Sequence, residues 1–313
     1  MDRQRLSPAQ LEVVDHLMAL GGERPTFRRE LRGELRALLE TQIADLTRPP
    51  GIADTTRVNK GGLSQLHACE AHFVSQAHSG FDWNARNARG TVVHKALELS
   101  VSFGDSAPPP GALVEHALAS LKADDRSLSD WLNEADPFDV AELRAAANET
   151  VAKFFECWPP LLRAWSPRSE TTIATDLCGD TVRLTARVDL VLGTGNGMEA
   201  RALVVDLKTG EPRANHLDDL RFYALVHTLR LGVPPFRVAS YYLDTATFHA
   251  EDVTEDLLVG AARRVAEACR RILELEAGLR APTITPGPQC SWCQLNDSCD
   301  GAARWQAQRA EFG

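Results

Sequence analysis

The stretch VVDLKTG, Val204–Gly210, decides the fold. Two valines lead in, and an aspartate and a lysine then stand two residues apart. Side chains along a strand alternate between faces, so Asp206 and Lys208 share one. A half-exposed strand with a solvated ion pair would explain both charges, and such pairs contribute little. The neighbouring strand bears on the choice. In TVRLTARVDLVLG, Thr181–Gly193, the residues Val182, Leu184, Ala186, Val188 and Leu190 alternate with Arg183, Thr185, Arg187 and Asp189. One face is apolar, and Asp189 lies on the polar one. TGNGMEA, Thr194–Ala200, joins the two runs and predicts an antiparallel hairpin. Paired positions in a hairpin sum to a constant. Asp189 with Asp206 gives 395, which centres the turn between Gly197 and Met198. The two carboxylates are expected opposite each other, about 5 Å apart at Cβ.

Facing carboxylates repel unless a cation sits between them. Mg²⁺ or Mn²⁺ suits such a site, because both favour oxygen ligands. Lys208 would then stand where it can help deprotonate an attacking water or support negative charge building on a phosphate. In GTVVHKALE, Gly90–Glu98, His94 and Glu98 stand four apart and share a helical face. A surface pair and a site histidine both fit that spacing.

Working outward, residues 170–177, 181–193 and 202–210 read as three strands rich in β-branched residues, separated by the turn signals Gly179-Asp180 and Thr194–Gly197. A helix follows in HLDDLRFYALVHTLRLG, stopped by Gly232 and Pro234, then a strand in RVASYYLDT. Thr254 to about Arg280 reads as a long amphipathic helix. Upstream, helical pattern covers about residues 7–45, starting at Ser7-Pro8, with a break at Pro49–Asp54. Residues 62–77 read as a short helix carrying Cys69, residues 90–104 as a second, and residues 111–165 as further helix. Strands that meander with helices packed on them predict an α/β fold with a mixed sheet. Residues 1–60 read as a helical extension, and residues 61–313 as the main domain with a helical insertion at about 105–165.

Hydrophobic residues make up 44% of the 313 residues and charged residues 25%, the balance of a soluble globular chain. No apolar run is long enough to span a membrane, and MDRQRLSPAQ carries no signal-peptide core, so a cytoplasmic setting is expected. The formal charge of −9 argues against broad electrostatic nucleic-acid binding but allows a local basic groove.

Together these motifs resemble the PD-(D/E)XK nuclease superfamily, in particular its RecB-type members, over roughly residues 62–300. GTVVHKALE resembles the family's histidine helix, ARVDLVLG its metal-binding aspartate, and VVDLKTG its acid-x-lysine motif. LDDLRFYALV resembles the helix written Q-x-x-x-Y, with Tyr223 in place and Asp219 where glutamine is usual. The resemblance implies a restriction-endonuclease-like core of helix, three-stranded meander, helix and strand, with added helices and a C-terminal cysteine-rich loop. It implies that His94, Asp189, Asp206 and the carbonyl of Leu207 hold Mg²⁺ or Mn²⁺, that Lys208 assists the water, and that Glu170 supplies an upstream acid.

Seven cysteines are many for a reducing compartment, where a cluster reads as a metal or iron-sulfur site before a disulfide. CSWCQLNDSC supplies Cys290, Cys293 and Cys299. Tetrahedral sulfur suits both zinc and iron, so spacing leaves a structural zinc site open. The resemblance extends to the iron-sulfur members of the family, such as AddB-type and CRISPR adaptation nucleases. It implies Cys69, in LSQLHACEAHF, as fourth ligand to a structural [4Fe-4S] cluster. Such a cluster would close a loop of about 220 residues. Cys157, Cys178 and Cys269 read as core residues. The implied activity is hydrolysis of phosphodiester bonds in single-stranded DNA or at DNA ends, in the manner of an exonuclease. With no phosphate-binding G-x-x-x-x-G-K-[ST] motif, any helicase must be a separate chain, and a repair, recombination or CRISPR partner fits the resemblance. A non-catalytic DNA-binding scaffold of the same fold and a zinc-stapled interaction module are the alternatives.

Overall fold

The computed structural model describes residues 2–46, 55–76 and 82–312; the break expected at Pro49–Asp54 lies outside them. Among the described residues six strands run in chain order: β1 Thr56–Val58, β2 Arg168–Leu177, β3 Val182–Leu192, β4 Leu203–Lys208, β5 Arg237–Tyr242 and β6 Thr247–Asp252. The helices are α1 Pro8–Glu12, α2 Leu31–Ile43, α3 Lys60–Ala68, α4 Glu70–Gln76, α5 Ala85–Phe103, α6 Pro110–Asp124, α7 Arg126–Glu134, α8 Pro137–Cys157, α9 Asn215–Leu231, α10 Glu255–Glu276 and α11 Asp300–Phe312. Two compact units emerge. The first comprises Met1–Arg29, Asp82–Ile173 and Arg187–Thr254; the second comprises Glu30–Phe81, Ala174–Ala186 and Glu255–Gly313.

In the first unit the sheet is mixed. β3 and β4 are antiparallel, β4 and β5 parallel, and β5 and β6 antiparallel. The β3–β4 partners, such as Leu190 with Val205 and Val191 with Val204, sum to 395, the register that the hairpin spacing predicts. Gly193 closes this hairpin at φ +78°, where a Cβ would lie 2.6 Å from the Arg201 carbonyl oxygen, so a side chain has no room there. Parallel β4 and β5 need a crossover, and α9 provides it. It ends at Gly232 in the left-handed conformation, as its sequence predicts.

α8 covers the opposite face of the sheet. Phe154 stacks on Trp158 at 5.4 Å between ring centroids, and Trp158 meets Tyr241 of β5 edge-on at 4.9 Å. Three aromatic rings buried at one point fasten that helix to the sheet.

In the second unit β1 pairs in parallel with the start of β3. Leu31, Leu35, Leu39 and Ile43 recur every four residues on α2 and are all buried. This stripe packs against α10, whose buried row includes Leu258, Val265, Cys269 and Ile272. Arg270 of α10 adds an ion pair to Asp45 at 2.8 Å.

Three expectations change. The helical pattern over residues 7–45 is interrupted: α1 runs into a π turn at Val13–Leu17, and Ala19 and Gly21 then take positive φ before α2 begins. Gly21-Gly22 and Pro25 supply the break. The helix expected at 62–77 is two helices, with Cys69 extended between them at φ −168° and ψ 121°. β1 and β6 were not expected. β1 is three residues long, and β6, with the sequence TFHAED, is an edge strand with little apolar alternation.

Candidate active site

β3 and β4 carry the two aspartates to neighbouring positions, but their carboxylates take different partners. Asp189 accepts the Leu207 backbone N–H at 2.7 Å through Oδ2, and its Oδ1 lies 3.3 Å from His94 Nδ1. Glu170 Oε1 lies 3.6 Å from the same imidazole nitrogen. His94, Glu170 and Asp189 thus offer one nitrogen and two carboxylate oxygens within 4.8 Å of one another. All three line a small cavity together with Glu98, Leu190 and Leu207. Glu98 shares the cavity but pairs with Lys95 at 3.0 Å.

Glu170 sits in β2 at φ +48°, a conformation costly for a residue with a side chain. Its carboxylate is held there by His94 and by an ion pair to Arg187. Burial favours the neutral acid of Glu170, yet its contacts with His94 and Arg187 outweigh that and lower its pKa. Burial likewise disfavours the charged imidazole of His94, but Asp189 and Glu170 overcome it and raise the pKa to about 10.

Asp206 is fully buried (0% exposed) and faces α9. Its Oδ2 lies 2.7 Å from Lys208 Nζ, and its Oδ1 accepts from the Tyr223 hydroxyl at 3.3 Å. The single hydroxyl proton is shared with the nearer Arg187 carbonyl at 2.7 Å, which ties α9 to β3. Lys208 is gripped from a second side by Asp219 at 3.3 Å. Burial works against the ammonium, but Asp206 and then Asp219 and Asp189 prevail, so its pKa is raised. Burial first, and then the surrounding aspartates, raise the Tyr223 pKa well above the phenol value, so the hydroxyl stays a hydrogen-bond donor. Beyond the lysine, Gly210 N–H donates to Asp244 Oδ2 at 2.8 Å, and Asp244 also pairs with Arg89 of α5 at 2.7 Å. The end of β4 is anchored by that link.

Every residue singled out from the sequence around the carboxylates therefore lies at this site. His94, Glu170 and Asp189 form one cluster, and Asp206, Lys208 and Tyr223 form an adjoining one. Three contributors were not assigned these positions from sequence. Arg187 stands two residues before Asp189 on the polar face of β3, a placement the alternation does give. Asp219 occupies the glutamine position of the α9 motif and binds the lysine instead. Asp244 had no sequence signal.

The four candidate ligand cysteines lie in the second unit. Cys69 Sγ accepts the Thr285 N–H at 3.4 Å, and Cys290 Sγ accepts the Gly287 N–H at 3.5 Å. The Gln289 amide donates to the carbonyls of Ala68 and Thr285 at 3.2 and 2.7 Å, tying the Cys69 bend to the loop that leads into Cys290. Next to Cys69, the buried carboxylate of Glu70 receives Arg271 and Arg280, each at 2.6 Å, and the Thr283 N–H at 2.9 Å. Arg280 above all, aided by Thr283 and Arg271 against the cost of burial, holds the Glu70 pKa far below the carboxylate range.

Among the described residues no helix is long and apolar enough to cross a membrane. No curated protein matches the chain significantly. A crystal structure described as "Putative exonuclease" from Eubacterium rectale shares 15% identity with it, covering 84% of this chain and 90% of that one, with a TM-score of 0.49. SSO0001 shares 11% identity, covering 86% of this chain and 94% of that one, with a TM-score of 0.36. The sequence profile of the PD-(D/E)XK nuclease superfamily matches residues 58–300, a span that contains both acidic clusters and all four candidate ligand cysteines, and the chain belongs to that superfamily.

Proposed function

We propose that this protein is a divalent-metal-dependent deoxyribonuclease of the RecB type that trims single-stranded DNA or DNA ends. The observation that carries this reading is the convergence of His94, Glu170 and Asp189 beside the buried Asp206–Lys208 pair. The carboxylate oxygens of Glu170 and Asp189 suit Mg²⁺ or Mn²⁺, and the His94 nitrogen completes the donor set by giving up its proton when the metal binds. His94, Asp189 and Asp206 are the proposed metal ligands with the Leu207 carbonyl, and Glu170 is the further acid. When bound, the metal supplies Lewis-acid stabilisation and an activated water. Lys208, held by two carboxylates, offers its ammonium to the negative charge that develops on the phosphate. Tyr223 orients Asp206, and Asp219 orients Lys208. Arg187 keeps Glu170 turned toward the cluster.

The second part of the reading is a structural [4Fe-4S] cluster held by Cys69, Cys290, Cys293 and Cys299, in a reducing cytoplasmic setting. The backbone N–H groups donated to the sulfurs of Cys69 and Cys290 support it, because such bonds stabilise ligated thiolates. Gln289 supports it too, by bringing the distant Cys69 bend to the C-terminal loop.

The test is cleavage of end-labelled single- and double-stranded DNA, with free and with blocked ends, in Mn²⁺ or Mg²⁺. Wild type should release nucleotides from free ends, and Asp189→Ala should lose at least about 100-fold of the rate. Equal cleavage by Asp189→Ala would reject the site. A wild-type protein that binds DNA without cutting it would instead favour a scaffold.

A further inference from the structure

We propose that the groove beside the carboxylate cluster receives unpaired bases of the strand being cut, stacked on Phe103 and Phe155. The groove encloses about 540 Å³, within the range of sites that hold small organic groups. It is built from the end of α5, the end of α8 and the proline-rich segment that follows. Phe154 and Trp158 form its buried floor, whereas Phe103 and Phe155 are 43% and 38% exposed. Rings of this size gain free energy from burial, so two of them open to water in one concavity mark a binding surface.

The charge around the rings narrows the occupant. None of the described residues lining the groove is acidic, and Arg163 contributes a guanidinium, on a chain of formal charge −9. A nucleotide presents the flat π face of its base to a phenyl ring and carries a phosphate that a guanidinium can meet. The position narrows it further. Ser100, Val101, Phe154 and Leu161 line both this groove and the small cavity of His94, Glu170 and Asp189. A strand seated on the rings would therefore lead its backbone to the cluster. Bases in a duplex stack on each other and hide their faces, so the groove selects a single strand or a frayed end. The inference rests on the nuclease reading and adds to it the residues that would confer strand selectivity.

The experiment uses the full chain and a single-stranded oligonucleotide carrying 2-aminopurine, whose fluorescence is quenched by stacking. Binding is measured in EDTA, and cleavage in Mn²⁺. Wild type should quench the probe. Phe155→Leu and Phe103→Leu, which keep an apolar side chain but remove the ring, should each weaken binding about tenfold and reduce quenching. They should raise KM for single strands and leave kcat nearly unchanged. An oligonucleotide with abasic sites across the bound segment should bind wild type more weakly than the intact one binds either variant, because it loses stacking on both rings. If the variants bind, quench and cleave like wild type, or the abasic strand binds as tightly as the intact one, the groove is not a base site. That result leaves the nuclease reading standing wherever wild type still cuts. Ring-dependent binding by a wild-type protein that never cuts would sustain the groove and remove the nuclease reading.

Discussion

Replacing Lys208 with methionine should destabilise the fold far more than a lysine at a sheet edge would. The reason lies in what the ammonium touches. Lys208 Nζ is 2.7 Å from Asp206 and 3.3 Å from Asp219, and Asp206 has no exposed surface. Methionine fills most of the volume but leaves the buried carboxylates of Asp206 and Asp219 without their charged partner. Removing one member of a buried pair costs about 3–5 kcal/mol, most of it from the charge left behind. Exposed pairs cost under about 1 kcal/mol, so the two cases are well separated. The double variant Asp206→Asn with Lys208→Met removes the closer pair, leaves only Asp219 without the ammonium, and should recover at least half of the loss. Urea unfolding followed by tryptophan fluorescence in EDTA, without divalent metal, measures each value from midpoint and slope. A single variant within about 0.5 kcal/mol of wild type, or a double variant no more stable than the single, would refute the reasoning.

Two further outcomes follow from other parts of the molecule. His227 is buried on α9 with Nδ1 3.1 Å from the Val233 carbonyl, and burial lowers its pKa to about 4. The unfolded chain takes up that proton first, so stability is present above the free-histidine value of 6.5 and is lost as pH falls toward 4. The loss amounts to about 3 kcal/mol, and His227→Gln should flatten that part of the stability-against-pH curve; an unchanged slope in the variant would contradict it. Cys290→Ala should abolish the broad visible absorption of protein purified without oxygen and lower its Tm. A colourless, zinc-containing wild type would rule out the iron-sulfur assignment.

The sequence alone determined the parts of this protein that depend on local period. Alternation placed Asp189 on the polar face of β3 and put Asp206 and Lys208 on one face of β4. The TGNGMEA turn then fixed their register at a partner sum of 395. The Gly232 stop marked the end of α9. All of these follow from side-chain alternation, helix pitch and turn chemistry over a few residues. β1 and β6 escaped because a short or polar edge strand has no such pattern, and the bend at Cys69 escaped because its contacts come from residues more than 200 positions away.

Only the tertiary structure decided which acid meets which base. Alternation set Lys208 beside Asp206, but it did not give the partners that come from other elements: Asp189 turns to His94 and Glu170, and Asp206 also meets Tyr223. Asp219 read as a departure at a glutamine position, and the fold makes it the second partner of Lys208. Glu170 reaches the cluster through a left-handed backbone that local propensity disfavours and that Arg187 and His94 help to hold. Such pairings are set by helices packed on opposite faces of the sheet, where burial strengthens the attraction between charges and makes each partner's position matter.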